Sequence, residues 1–287
     1  MTKQVHKAEK AYKNLEFLTS PDARVIRLIS EFLEPARRFR HEGIRDTIVF
    51  FGSARILPRA KAVQHLKEVS KKSRGGHRRS SKAQNDLEGA KIDLEMSRYY
   101  EDAVTLSGLL TKWSKGLRQK NRFVMTSGGG PGIMEAANKG AKLAKGRSVG
   151  LNISLPFEQS SNPYIPDELN FDFHYFFMRK LWFVYLSKAM VVFPGGFGTF
   201  DEAFEVLTLL QTRKIKKKMT VVLYGKEYWQ KTINFESLIR LKMISPDDLK
   251  IFHFADTPKE AFEYIVCELR KNYPNETSEE AKASVAV

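Results

Sequence analysis

Only one cysteine, Cys267, occurs in the 287 residues. No intrachain disulfide and no cysteine-rich metal site can therefore form. Cys267 shares an apolar, helix-like pattern with Phe262, Tyr264 and Ile265, so it is expected to be a small core residue and not a nucleophile. Long apolar runs are missing as well. The richest, residues 189–193 and 219–224, fall far short of the roughly 18–20 residues that a membrane-spanning helix needs. The first ten residues are charged and lead into no apolar segment; no secretory leader is expected, and the cytoplasm is the expected compartment. The six histidines show no metal-ligand spacing, and neither metal nor cofactor is expected. The Gly-x-x-x-x-Gly-Lys-Ser/Thr loop of the nucleotide triphosphatases is absent too.

Positive charge is plentiful: 48 Lys and Arg against 33 Asp and Glu leave a net +15. Such a surplus suits a nucleic-acid surface or a protein that handles small anions. Residues 59–91 hold ten basic and three acidic residues, so about half the excess lies in one stretch. Its centre, residues 71–82, contains no large apolar side chain and is expected to be a solvated loop or arm, not a core element. It has no aromatic side chains on which bases could stack, so nucleic acid is not the expected partner of this stretch or of the basic run 213–218.

The remaining chain alternates. Ser20-Pro21-Asp22 opens a helix, and Val25, Ile26, Ile29, Phe32, Leu33, Ala36 and Phe39 continue it for about five turns. Residues 46–51 form a β-branched and aromatic strand ending at Gly52. Helices are expected at 97–112, 133–144, 177–188, 200–211, 227–241 and 258–272. Strands are expected at 122–126, 148–154, 171–173, 189–193, 219–223 and 251–254, with an irregular stretch at 156–167. Strands separated by helix-length segments specify an α/β fold: a Rossmann-like open parallel sheet with helices on both faces. The expected organisation is an N-terminal helical extension (1–45), one domain (46–272) carrying a basic insertion at about 57–93, and a frayed tail (273–287).

Two strand-to-helix turns are rich in glycine: Ser127-Gly128-Gly129-Gly130-Pro131-Gly132 and Pro194-Gly195-Gly196-Phe197-Gly198-Thr199. Glycine lets the backbone approach a ligand closely, and the first-turn amides and dipole of the following helix favour an anion. Either loop alone could equally be a tight turn. Two of them on neighbouring strands favour a phosphate. Neither carries the third glycine of the dinucleotide fingerprint. Asp201-Glu202 sits one turn into the helix behind the second loop. There it complements the dipole, but a carboxylate beside a phosphate is awkward unless it serves sugar hydroxyls or a developing cation.

The run Pro194-Gly195-Gly196-Phe197-Gly198-Thr199-Phe200-Asp201-Glu202 resembles the P-G-G-x-G-T-x-x-E signature of the LONELY GUY (LOG) family, nucleoside 5'-monophosphate phosphoribohydrolases often labelled lysine decarboxylase-like. Residues 127–136 look like its other glycine-rich signature, Met178-Arg179-Lys180 like its Arg-Lys element, and Phe51-Gly52-Ser53-Ala54-Arg55 like its first strand and turn. The similarity spans about residues 46–272. The N-terminal helix and the basic insertion are extras, as in the longer bacterial-type members. No pyridoxal-phosphate lysine context supports the decarboxylase label.

The resemblance implies hydrolysis of the N-glycosidic bond of a purine or cytokinin-type nucleotide, giving free base and ribose 5-phosphate. By that match Glu202 meets the ribose and Arg179 keeps it ionised and assists departure of the base. Gly195, Gly196, Gly198 and Thr199 hold the phosphate, and Ser53, Gly129, Gly130, Met134 and Lys180 complete the binding set. It also implies a homodimer or higher homo-oligomer, with aromatics of residues 171–185 (Phe173, Tyr175, Phe176, Phe177, Trp182, Phe183) at the interface. His174 is expected to be structural. A molybdenum-cofactor carrier of the same fold is the competing reading; the joint presence of Arg179 and Glu202 favours the enzyme.

Overall fold

The computed structural model describes residues 8–74, 81–155 and 160–278. Seven parallel strands form one sheet in the order β4-β3-β2-β1-β5-β6-β7. They are β1 (Thr47–Phe51), β2 (Val124–Ser127), β3 (Ser148–Ile153), β4 (Asn170–Phe173), β5 (Ser187–Val192), β6 (Thr220–Tyr224) and β7 (Phe252–Ala255). β1 is buried throughout, and its alternation divides the core. Ile48 and Phe50 pack on the side of α4 (Ser81–Lys115), α5 (Ile133–Leu143) and α10 (Pro258–Asn272). Val49 and Phe51 pack on the side of α2 (Arg24–His41), α6 (Phe176–Tyr185) and α7 (Phe197–Gln211). The expected Rossmann-like sheet, covered on both faces, is what forms.

The chain runs outward from β1 to β4, then returns to place β5 against the other edge of β1, with Val49 paired to both Thr126 and Met190. That reversal opens a crevice at the carboxyl ends of β1 and β5, where open α/β sheets bind ligands. The two glycine loops thus follow β2 and β5, which flank β1. They do not lie on neighbouring strands, as the sequence suggested.

A short α1 (Leu15–Thr19) and a 3₁₀ turn at Pro21–Ala23 lead into α2. The Phe39 ring stacks on Phe171 at 4.7 Å, and Phe32 and Phe39 meet Trp182 of α6. Val25, Ile29 and Leu33 stay more than half exposed.

Several local expectations are corrected. The basic stretch is largely helical: α3 (Arg59–Arg74) lies against the N-terminal half of α4, which starts at Ser81, sixteen residues earlier than its apolar spacing predicted. Its ends run into residues 75–80, which lie outside the described residues, as do 156–159 and the tail beyond 278. The helix expected over 227–241 is two, α8 (Lys226–Thr232) and α9 (Phe235–Arg240). Ile233 is extended and the Asn234 side chain accepts from the Ser237 amide, capping a new helix. α6 stops at Tyr185, and Lys188 lies in β5, where it pairs with Asp46 and covers the Tyr273 ring. Cys267 is exposed, because α10 turns Ala261, Ile265, Val266 and Leu269 inward. No helix among the described residues is long and apolar enough to cross a membrane.

Candidate active site

A cleft of about 1020 Å³ lies over the crevice between β1 and β5. Three loops build its floor, and each is locked to the next. The Ser53 amide donates to Pro194 O at 3.0 Å, and the Ile133 amide donates to Ser53 O at 3.1 Å. Gly132, at φ +69°, lies so near Ser53 and Ala54 that a Cβ would come 2.3 Å from the Ser53 carbonyl. Gly195 is equally constrained, since a Cβ there would lie 2.1 Å from Thr199 Oγ1. The Tyr228 hydroxyl, from α8, donates to Gly195 O and fixes that peptide. Burial raises the Tyr228 pKa, so it remains a donor.

Gly196 and Gly198 differ from these. An added Cβ at either would meet nothing within 4 Å, so the fold itself imposes no demand for glycine there. The open space lies at the N-terminus of α7, whose first two amides, Phe197 and Gly198, have no acceptor among the described residues. Unpaired first-turn amides beside uncrowded backbone are a place for an anion. The Thr199 amide is unavailable, because it donates to Gly196 O at 2.9 Å. Only the hydroxyl of Thr199 remains for a ligand.

On the α6 side of the cleft, Arg179 Nη2 stands 3.4 Å from Glu202 Oε1. Both side chains are largely buried, with 14% of Arg179 and 7% of Glu202 exposed. Burial pushes the Glu202 carboxyl up to about 7, against the opposing pull of Lys180 and Arg179. Burial also lowers the Arg179 pKa, and Glu202 counters it. The guanidinium lies 5.2 and 5.5 Å from the rings of Phe176 and Phe183, which leave it little water. Nothing in this pair is spent on holding the fold together that an apolar contact could not do as well.

Of the residues the sequence singled out, Ser53, Gly130, Met134, Arg179, Gly195, Gly196, Gly198, Thr199 and Glu202 line this cleft. Gly129 and Lys180 do not. Gly129 makes the turn at φ +75°, backed against Asn152, and its carbonyl accepts from Asn162 Nδ2. Lys180 points along the outer face of α7 to Asp201 at 2.8 Å and Glu205 at 3.0 Å, and reaches Glu202 only at 4.0 Å. Sequence reasoning missed Arg55, Asn152, Leu155 and Tyr228 as wall residues, and Phe197, which stands almost fully exposed at the mouth. Among the described residues no lysine lines the cleft, so it offers no Schiff-base lysine to a pyridoxal group. No group of three or more His, Cys, Asp or Glu among the described residues is arranged to hold a metal.

Residues 134–265 match the family described as "Possible lysine decarboxylase". That segment, a little under half of the chain, is similar to the LOG-family domain. The matched segment contains Met134, Arg179, Glu202 and the whole second glycine loop. No curated protein matches. Among solved structures, TM1055, a structural-genomics target, is 21% identical over 77% of this chain and 98% of its own, with a TM-score of 0.45. The molybdenum cofactor carrier protein from Chlamydomonas reinhardtii is 16% identical over 78% of this chain and 99% of its own, with a TM-score of 0.42. A further structure of that carrier is 21% identical over 59% and 88%, with a TM-score of 0.38.

Proposed function

We propose that this chain is a member of the LOG family and hydrolyses the N-glycosidic bond of a nucleoside 5'-monophosphate, releasing free base and ribose 5-phosphate. The observation that carries the reading is the juxtaposition, in one cleft, of an open anion cradle at the α7 N-terminus and a buried Arg179–Glu202 pair one helical turn away. A phosphate on the Phe197 and Gly198 amides and the Thr199 hydroxyl anchors the nucleotide by a part that does not react. Its binding energy then serves orientation at the sugar.

Cleavage develops positive charge on the ribose ring as the bond to the base lengthens. An ionised Glu202 faces that charge at short range in a poorly hydrated pocket, where one carboxylate counts for much more than in water. Its pKa near 7 also suits it to take a proton from the attacking water, whose oxygen bonds to C1' as the base leaves with its electron pair. Arg179 favours the ionised form and can offer its remaining donors to the departing base. The reaction is set in the cytoplasm, as the single unpaired cysteine also suggests.

The test is a panel of nucleoside 5'-monophosphates, purine, pyrimidine and cytokinin-type, with base release read by chromatography. At least one should be turned over, and its nucleoside should be a poor substrate. Equal turnover of nucleoside and nucleotide overturns the phosphate anchor. Tight binding without base release from any member would instead make the chain a carrier.

A further inference from the structure

The first glycine loop is held from behind by three buried polar side chains: Ser127 at the end of β2, Asn138 of α5, and Asn162. The Asn162 backbone amide donates to Gly129 O at 2.8 Å. Its side-chain Nδ2 has three acceptors in reach: Gly129 O at 2.9 Å, Gly130 O at 3.2 Å and Asn138 Oδ1 at 2.9 Å. Its Oδ1 accepts from the Tyr164 amide at 3.2 Å, which sets the carboxamide with its nitrogen toward the loop. Ser127 Oγ donates to Asn138 Oδ1 at 2.6 Å and accepts from the Gly129 amide at 3.1 Å. Asn138 Nδ2 reaches Val149 O of β3 at 3.3 Å, so the cluster joins two strands, a helix and the loop. Burying amides and a hydroxyl costs desolvation that an apolar filling would avoid; a fully bonded cluster gives rigidity in return.

That rigidity has a direction. Asn162 does not line the cleft, whereas Gly130 does. No described peptide bond is cis, and in a trans peptide the N–H points opposite to the C=O. Tying Gly129 O to Asn162 therefore turns the Gly130 N–H away from Asn162. That N–H has no acceptor among the described residues. The Gly130 carbonyl is drawn back by the same Nδ2, which keeps an acceptor oxygen from facing the ligand. The loop also borders the Arg179 end of the cleft: a Cβ on Gly128 would lie 3.8 Å from Arg179 Nη1 and 2.6 Å from Met134 Sδ. We propose that Asn162 is a positioning residue, whose carboxamide holds the Gly130 amide turned into the cleft as a donor for the nucleoside portion of the ligand. The phosphate is left to the α7 N-terminus. The proposal rests on the ligand class of the proposed function and not on its turnover.

Calorimetry with adenosine 5'-monophosphate and with inorganic phosphate tests it, in a Glu202→Gln background so that no nucleotide is consumed. Asn162→Ala should weaken nucleotide binding at least fivefold and change phosphate binding less than twofold. Asn162→Asp keeps the shape and the acceptor for Tyr164 but sets an oxygen against both glycine carbonyls, so it should lose more than Asn162→Ala. In nuclear magnetic resonance spectra of protein carrying nitrogen-labelled glycine, nucleotide should shift the Gly130 amide resonance of the parent and shift it less in Asn162→Ala. Equal losses for nucleotide and phosphate, unchanged nucleotide affinity in Asn162→Ala, a smaller loss in Asn162→Asp, or a Gly130 resonance that nucleotide does not move each overturn the proposal alone. If Asn162→Asp does not fold, Asn162→Ala and the Gly130 resonance decide. A parent protein that binds no nucleotide overturns it together with the proposed function. The stated losses in a wild-type chain that releases no base support the positioning role while the hydrolase reading falls.

Discussion

Glu202 is held under two opposed demands. Burial lifts its pKa from 4.5 to about 7, so the folded chain binds this proton more tightly than the unfolded chain does. The stability this contributes is fully present below about pH 4.5 and is lost as pH rises through 7. The proposed chemistry needs the other form, the carboxylate, which accumulates over the same interval. We therefore expect kcat/KM to rise along a limb with an apparent pKa near 7 while the thermal midpoint declines. Glu202→Gln should cut kcat by on the order of 10²-fold or more and abolish that limb, with nucleotide binding still measurable. A full kcat in this variant would remove Glu202 from the chemistry. Gly196 supplies the complementary case. Because its missing Cβ touches nothing, Gly196→Ala should leave the melting temperature within about 2 °C of wild type, yet weaken nucleotide binding roughly tenfold or more by filling the cradle. A lowered melting temperature with intact affinity would make Gly196 a folding residue.

At the scale of elements, the sequence was most legible where a local rule acts alone. The continuous β-branched and aromatic run of β1, glycine loops running into α5 and α7, and the Thr257-Pro258 start of α10 all follow from neighbours a few residues apart. Legibility failed where a remote partner decides. The first half of α4 has little apolar periodicity and forms a hairpin with α3, and the start of β5 depends on Asp46 and Tyr273 taking Lys188. The site divides the same way. The residues of the two glycine signatures could be read directly, but Arg55 and Tyr228 meet in the cleft only because the loop after β1 and the first turn of α8, far apart in the chain, come together at one crevice. The α3–α4 hairpin rises from the edge of the sheet that bears the cleft, and α3 holds five lysines and arginines before Arg74 against the single acid Glu68. Such a rim should hasten the encounter with anionic nucleotides, an effect screened over roughly 8–10 Å at physiological salt. Replacing residues 71–82 with a short Gly/Ser linker should leave the chain folded and kcat nearly unchanged. The value of kcat/KM should drop at low ionic strength and converge on wild type as salt is raised. Loss of kcat or of folding would make the hairpin a lid or a strut.

On the whole molecule, Val25, Ile29 and Leu33 of α2 and Phe177, Leu181 and Tyr185 of α6 leave large apolar side chains in water. The two rows meet at Trp182, which touches Phe32 and Tyr185. Phe173, Trp182 and Phe183, expected at an interface, instead belong to the core; Phe176 and Phe177 are the exposed members of that group. Neighbouring exposed apolar side chains of this kind mark a surface for association, and we expect light scattering at micromolar concentration to give at least a dimer mass. A monomer mass would refute this, and Phe177→Glu should shift a dimer toward monomer. The central place of β1 has a further consequence, for synthesis. Its partner on one side, β2, leaves the ribosome some eighty residues after it, but its partner on the other side, β5, emerges only about 140 residues later. Until then a nascent chain carries a strand of four consecutive apolar residues, Ile48–Phe51, with one row of amides and carbonyls unsatisfied, the kind of edge to which a neighbouring chain can add. The crevice that gives this fold its ligand site thus lies on the seam of β1 that stays open longest, and the protein's vulnerability to aggregation should peak just before the second glycine loop is made.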